Sequence, residues 1–282
     1  MVWCCMLTAD ITKKIVEFVY AKPRTVQEIA EFLGINWRTA DAYVEKISVE
    51  QGVIAVRTFR PGTRGGLKIV YWNTVEKTSS LLVQDTLFER IKLGRKKADF
   101  SPFDIFQYVD DAKRTAVVVT DSRREVMGPL LDSAQKEVLF FSGNVSWSED
   151  SEEGVVLLKR IEQMVNRGIV VKILCRIDLP GIHNIISLQS INSRLGRDVI
   201  EIRHCEQPLR GFIVDSSIVR LKEMKKEQDF RKGELKGSVT ISYTLQDTEW
   251  AEWLAKVFWY MWRNAISFEK RVRDLESIQK LL

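Results

Sequence analysis

The stretch TVQEIAEFLGINWRTADAYVEKI, residues 25–47, reads as two short helices joined by a tight turn. Thr25 stands where an N-cap belongs. Glu28, three residues on, completes a capping box, in which side chain and backbone satisfy each other's unpaired groups. Ile29, Phe32 and Leu33 then form one apolar face. Gly34 supplies the turn, because a positive φ costs glycine least. Asn36 caps the second helix, and Ala40, Val44 and Ile47 carry its buried side at helical spacing. The pattern fits a helix-turn-helix and equally a helical hairpin in a core. The flanking sequence decides between them.

Upstream, residues 8–21 read as a helix with Thr8 as cap and Ile11, Ile15, Val16, Phe18 and Val19 on its apolar side, stopped by Pro23. Downstream, VIAVRTFRPGTRGGLKIVYWN holds two β-rich runs, 53–59 and 67–72, around a Pro/Gly turn. Three helices and a hairpin are the layout of a winged helix-turn-helix, and residues 1–74 are read as that domain. With Ala40, Val44 and Ile47 inward, Arg38, Ala42 and Glu45 point outward, with Thr39 and Lys46 beside them. The start of such a helix enters the major groove. Arg38 there suits a guanine edge, and Thr39 a base or a phosphate. Trp37 is expected to lie nearer the buried side, as packing.

The hairpin carries Arg57, Arg60, Arg64 and Lys68 and no acidic residue. Residues 1–73 hold ten Lys and Arg against seven Asp and Glu, so the positive charge gathers in the hairpin. A run of charge is commonly just a solvated face. On the element that flanks a duplex it points to phosphate contact. The candidate DNA-binding set is therefore Asn36, Arg38, Thr39, Lys46, Arg57, Arg60, Arg64 and Lys68.

Residues 75–113 read as a helical linker. Thr78, Ser79 or Ser80 caps a helix through LLVQDTLFERIKLGRKK, where Leu81, Leu82, Val83, Leu87, Phe88 and Ile91 make a band wider than one packed face needs. That band suggests pairing with a second copy, or packing on the chain's own winged domain. GRKK at 94–97 is a basic stop, 98–102 a hinge, and 102–112 a short helix. From residue 114 strands alternate with helices: 115–119, 136–143, 169–175, 198–203 and 238–244 as strands, and 124–135, 153–167 and 180–195 as helices. GFIVD and SIVRLKEM form a hairpin, and 225–237 a mixed-charge loop. This is an α/β sheet, mostly parallel at first. Trp250, Trp253, Leu254, Val257, Phe258, Met261, Trp262 and Ala265 recur at helical spacing behind Asp247, a cap, and are read as the cover of the sheet. The sheet domain spans 114–266. A last helix, 267–282, has Phe268, Val272, Leu275, Ile278 and Leu282 on one side, to return to the linker helix or pair across a dimer.

The chain has 282 residues, 45% apolar and 29% charged, with a formal net charge of +5. That length suits about two domains with a sizeable core. The mild basicity permits nucleic-acid binding without requiring it. Cys4 and Cys5 are adjacent, while Cys175 and Cys205 stand apart in apolar runs, which fits buried free thiols and a reducing cytoplasm. No apolar run approaches the ~18 residues of a membrane span, and MVWCCML lacks the basic start of a secretory signal.

His183 and His204 are the only histidines, and neither sits in metal-ligand spacing or beside a nucleophile. No phosphate-cradling glycine loop follows a strand. No metal, no cofactor and no enzyme activity are expected. LRGFIVDSSIVRL, 209–221, resembles the strand hairpin of the phospholipase D superfamily, whose catalytic form places a His and a Lys two residues apart just before the strand. Leu209 and Gly211 hold those places here, so the resemblance implies the fold and argues against the activity. A degenerate domain of that kind behind a winged helix and a helical linker resembles the TrmB-like archaeal transcription regulators, over nearly the whole chain and including the closing helix WAEWLAKVFWYMWRNA. The resemblance implies an α+β protein of two domains: a winged helix-turn-helix, then a helical linker and a phospholipase D-like α/β sheet. It also implies a second domain that binds a small effector, often a sugar, or has lost that ability.

Ligands of open α/β sheets bind beyond the carboxyl ends of the strands. Those ends supply Ser142, Gly143, Asn144 and Trp147, then Arg176 and Asp178, with Arg210 opening the hairpin. Asn144, Arg176 and Arg210 are the candidates to hold the polar groups of a sugar or other polar metabolite, and Trp147 to stack on it. Capped loops without a ligand are the plainer reading. The first functional expectation is thus a cytoplasmic, homodimeric regulator that binds double-stranded DNA, with an effector-sensing domain. The second is an architectural protein coating or bridging DNA without an effector, and the third an RNA- or ribosome-binding adaptor.

Overall fold

A computed structural model describes residues 7–59, 67–73, 80–119, 127–152, 155–230, 235 and 237–279. The chain divides into two compact units, one of residues 1–83 with 224–239, the other of 84–223 with 240–282.

In the first unit, α1 (Ala9–Ala21), α2 (Val26–Leu33) and α3 (Trp37–Gln51) precede the strands β2 (Ile54–Thr58) and β3 (Lys68–Trp72). A two-residue strand, β1 (Arg24–Thr25), adds to the far edge of β3, giving a three-stranded antiparallel sheet ordered β1, β3, β2. The capping box is present: Glu28 N–H donates to Thr25 Oγ1 at 3.1 Å, and Thr25 N–H to Glu28 Oε2 at 2.7 Å. Gly34 closes α2 at φ 66°, and Thr39 N–H donates to Asn36 Oδ1 at 2.9 Å. Ile15, Val19, Ile29, Ala40, Val44, Ile47, Ile54 and Val70 close the core. Phe32 departs from the expected face. It is exposed and lies flat against Phe18, ring centroids 4.2 Å apart.

The second unit begins within α4 (Ser80–Leu93), whose residues from Gln84 belong to it. Leu87 and Ile91 are buried, and Phe88 meets Tyr260 edge-on at 4.9 Å. Leu81, Leu82 and Leu93 stay exposed. The apolar band is thus split, part consumed within the chain and part left outside. The caps read at Thr78 and Ser79 lie outside the described residues. The helix read over 102–112 is only α5 (Phe103–Phe106) and a 3-10 turn at Asp111–Lys113. Phe103, Ile105 and Phe106 are all buried, so apolar residues surround this turn instead of marking one helical face.

The remaining elements are β4 (Arg114–Val119), α6 (Gly128–Asp132), β5 (Glu137–Phe141), β6 (Ser151–Glu152), β7 (Val155–Val156), α7 (Leu157–Asn166), β8 (Val170–Cys175), α8 (Ile182–Leu195), β9 (Ile200–His204), β10 (Gly211–Val214), β11 (Ile218–Lys225), β12 (Val239–Leu245), α9 (Thr248–Asn264), β13 (Ile266–Ser267) and α10 (Phe268–Gln279). One mixed sheet runs β13, β9, β8, β5, β10, β11, β12, β4. The β5–β8 and β8–β9 pairs are parallel, and β10 turns antiparallel beside β5. Alternation divides β5 between the two faces. Val138 and Phe140 meet the core of α6, α7, α8 and α10, while Phe141 meets Phe258 of α9 edge-on at 5.3 Å. Asp247 caps α9, whose tryptophan stripe is buried as expected. Lys172 and Arg203 project from the sheet onto Trp262, at 5.2 and 4.6 Å from its ring centre.

Two helices are shorter than read. α7 starts at Leu157, not 153. Glu152 is drawn away to accept Met127 N–H and Gly128 N–H, each at 2.8 Å, and Ser151–Glu152 pairs with Val155–Val156 instead. α6 begins at Gly128, and its read start at 124–126 lies outside the described residues. Within the chain, α10 packs on the sheet unit. Leu275 and Phe268 pack on the α/β core, and Arg271 Nε donates to Ile177 C=O at 3.2 Å.

Candidate functional site

Two places gather exposed or polar chemistry, one in each unit. The first is the outer face of α3. Capping occupies Asn36, and the first turn beyond it presents Trp37 and Arg38 to solvent, with Thr39 half-buried. Trp37 is 37% exposed, contrary to its reading as packing. Ile35 in the turn and Leu33 at the end of α2 pack on the core, and Trp37 does not. Ala42, Glu45 and Lys46 also face outward, with Lys46 3.8 Å from Glu50 in an exposed pair. Such a pair contributes about 0.5 kcal/mol or less, so Lys46 is held loosely.

Lys68 is different. Its ammonium lies 2.7 Å from Asp41 and 3.2 Å from Glu45, both on α3 one turn apart. Burial pulls its pKa down, but the two carboxylates outweigh that and hold it above the ordinary lysine value. The structure therefore ties Lys68 to the helix. Arg57 is half-buried on β2. Arg60 and Arg64 lie outside the described residues.

The second place is a pocket at the carboxyl ends of β5, β8 and β9, lined by Arg95, Lys96, Ser142, Arg176, Cys205, Glu206, Gln207 and Arg210. Backbone bonds carry the parallel ladder past the strand ends: Ser142 N–H to Leu174 C=O at 2.9 Å, Arg176 N–H to Gly143 C=O at 2.7 Å, and Cys205 N–H to Cys175 C=O at 2.9 Å. These bonds set the loops in line. Arg210 donates to Gln207 C=O at 2.9 Å and Leu209 C=O at 2.6 Å. It lies so close to Gly143 that a Cβ there would stand 3.2 Å from its Nε. Its guanidinium is held below the ordinary arginine value, first by burial and then by the positive charge of Arg176. Arg176 pairs with Asp178 at 2.7 Å.

Of the four residues proposed for an effector, the structure brings Arg176 and Arg210 together. Asn144 and Trp147 do not line the pocket. Trp147 stacks on Phe140 at 4.6 Å and donates its indole N–H to Ser142 Oγ at 3.1 Å. Asn144 C=O accepts from Asn184 at 3.3 Å. Both are spent on packing and loop structure. Sequence reasoning missed Arg95, Lys96, Glu206 and Gln207. The signal for the first two was the run GRKK, which reads as a helix stop until the fold brings it against the strand ends.

Leu209 and Gly211, the two hairpin positions singled out in the sequence, are fixed by packing and sterics. Leu209 is buried. Gly211 adopts φ 146°, and a Cβ on it would stand 1.9 Å from Arg220 C=O. No other residue fits that backbone. His204 accepts Ile177 N–H through Nδ1 at 2.9 Å, and burial first of all holds its pKa below the ordinary histidine value. Burial pushes the Cys205 thiol up to about 11, so it stays protonated near neutrality and is a poor nucleophile. Among the described residues no group of three or more His, Cys, Asp or Glu is placed to hold a metal ion, and no helix is long and apolar enough to cross a membrane.

No family model matches the chain, and no curated protein matches it. Among solved structures, the archaeal chromatin protein TrmBL2, whose structure shows a novel mode of DNA binding, is similar at TM-score 0.40 and 14% identity, over 94% of this chain and 96% of that one. Nuc of Salmonella typhimurium, a phospholipase D family member, is similar at TM-score 0.40 and 14% identity, over 55% of this chain and 99% of that one. NucT of Helicobacter pylori is similar at TM-score 0.38 and 18% identity, over 55% and 99%. At these scores the likenesses assign no role to any residue of this chain.

Proposed function

We propose that this chain is a regulator that binds double-stranded DNA through its winged helix, and that its α/β unit senses a ligand without catalysing a reaction. The observation that carries this reading is the exposed first turn of α3, where Arg38 and Thr39 stand on a capped helix beside a hairpin. An α-helix end of that kind fits the major groove, and arginine there pairs bidentately with guanine. Asp41 and Glu45 on the same helix favour selective reading over coating. A protein that coats DNA relies on backbone contacts from cations, and Lys68 answers only one of the two negative charges that Asp41 and Glu45 place on the contact helix. The sensor reading rests on the locked Leu209 and Gly211, which leave the strand ends free for binding alone. Pairing of two copies is proposed at the exposed Leu81 and Leu82 of α4.

Sites selected from random duplexes, followed by titrations over a range of salt, test this. The parent should select a site with two half-sites about one helical turn apart. Arg38→Ala should cost roughly 1–3 kcal/mol at one base position and relax the preference there. Selection of no sequence at all, with Arg38→Ala binding like the parent, overturns the reading.

A further inference from the structure

Burial, charge and size in the strand-end pocket say more than that it is polar. Four cations line it, Arg95, Lys96, Arg176 and Arg210, and Glu206 is the one carboxylate of the lining. They come from separate parts of the chain. Arg95 and Lys96 follow α4, where the Asp99 carboxylate accepts both their backbone N–H groups at 2.8 Å. Asp99 thereby shapes the turn, and Gly94 at its start lies against Pro208, so closely that a Cβ would stand 2.7 Å from the ring. Arg176 follows β8, and Arg210 precedes β10. Like charges brought together this way repel one another: Asp178 answers Arg176 at 2.7 Å, and the pKa of Arg210 is depressed first by burial and then by the charge of Arg176.

The cavity measures about 80 Å³. That is well below the ~300 Å³ at which pockets for drug-sized molecules begin, and it has room for a tetrahedral oxyanion. Gln207 shapes the floor of the pocket: it is 2% exposed and its Nε2 donates to Ser142 C=O at 3.1 Å. Inorganic phosphate carries the negative charge that the arginines and Lys96 call for.

We propose that this pocket binds a small oxyanion of the inorganic phosphate class, and that this anion is the effector of the sensor, which rests on the function proposed above. Calorimetric titration of the full chain with sodium phosphate, slightly below neutral pH and at ionic strength held constant with chloride, tests the site. One saturable site is expected, with uncharged glucose silent. Arg176→Ala and Lys96→Ala change exposed side chains that the fold does not need, and each should weaken phosphate binding by about tenfold or more, as loss of a charge-assisted bond does. Absence of saturable binding, saturable binding of glucose, or variants that bind like the parent overturns the proposal. The sensor reading is judged separately, by DNA titrations of the parent with and without phosphate. Phosphate that binds yet leaves DNA affinity unchanged removes the sensor and keeps the site.

Discussion

The two units answer a sequence reader differently. In the winged helix, what matters lies within three or four residues: Thr25 with Glu28, Asn36 with Thr39, Gly34 at the turn. In the α/β unit, what matters lies across a hundred residues, with Arg95 and Lys96 brought to Arg176 and Arg210. Local backbone needs are written locally, because capping and positive φ are settled by a residue and its near neighbours. A pocket is assembled by topology, so its members carry no mark until the strand order is known. The difference can be tested where each unit concentrates its constraint.

The largest effect is expected at Gly211. Gly211→Lys, which would restore a lysine at the catalytic place of the superfamily this hairpin resembles, drives a side chain into Arg220 C=O. A backbone collision at the centre of the sheet should cost more than about 4 kcal/mol, in the range that marks an exceptional lesion. Gly168→Ala is the control. Gly168 also has positive φ, 89°, but no atom lies within 4 Å of its Cβ position, so strain alone should cost about 1 kcal/mol. Urea unfolding of the two variants measures both. A soluble Gly211→Lys protein with the stability of the parent would show that the strand start is not the fixed point described.

A smaller effect is expected at the hairpin tip between β10 and β11. Asp215 has φ 49° and its carboxylate accepts backbone N–H from Gln135, Lys136 and Glu137 at 2.8–2.9 Å. Burial pushes its pKa up, but the three bonds outweigh it and hold the carboxyl below the ordinary value of 3.8. A depressed carboxyl contributes stability that is complete above its unfolded pKa and is lost as the pH falls through the folded one. Asp215→Asn, which tolerates the same backbone, should therefore cost about 1–3 kcal/mol at neutral pH. The gap between parent and variant should close below about pH 4. A gap that is constant with pH would assign the loss to shape and not to charge.

Sequence periodicity gave the sheet, its parallel beginning and the tryptophan cover of α9, because apolar residues at period 2 and 3.6 have one efficient burial. It failed where a single polar contact overrode the pattern. Glu152 bonds to Met127 and Gly128 and delays α7 by four residues. Trp147 follows a strand in a polar loop, which resembles a ligand platform, yet its ring belongs to the packing around Phe140. Charge was the least legible property of all. The hairpin 53–73 holds no acidic residue, yet the acids that answer Lys68 sit on α3, twenty-three and twenty-seven residues away in the chain.

That last point gives the smallest and sharpest prediction. If Lys68 touched a phosphate, Lys68→Ala would reduce the slope of log affinity against log salt by about 0.9. Bound between Asp41 and Glu45, it releases no counterion from DNA, and the slope should stay that of the parent. Affinity should still drop slightly at low salt, since the two carboxylates then face the duplex without their counter-charge. Lys68→Ala combined with Asp41→Asn and Glu45→Gln should recover that loss, because no charge is left to repel. A reduced slope for the single variant would show that Lys68 leaves its carboxylates on binding, and that the face of α3 rearranges when it meets DNA.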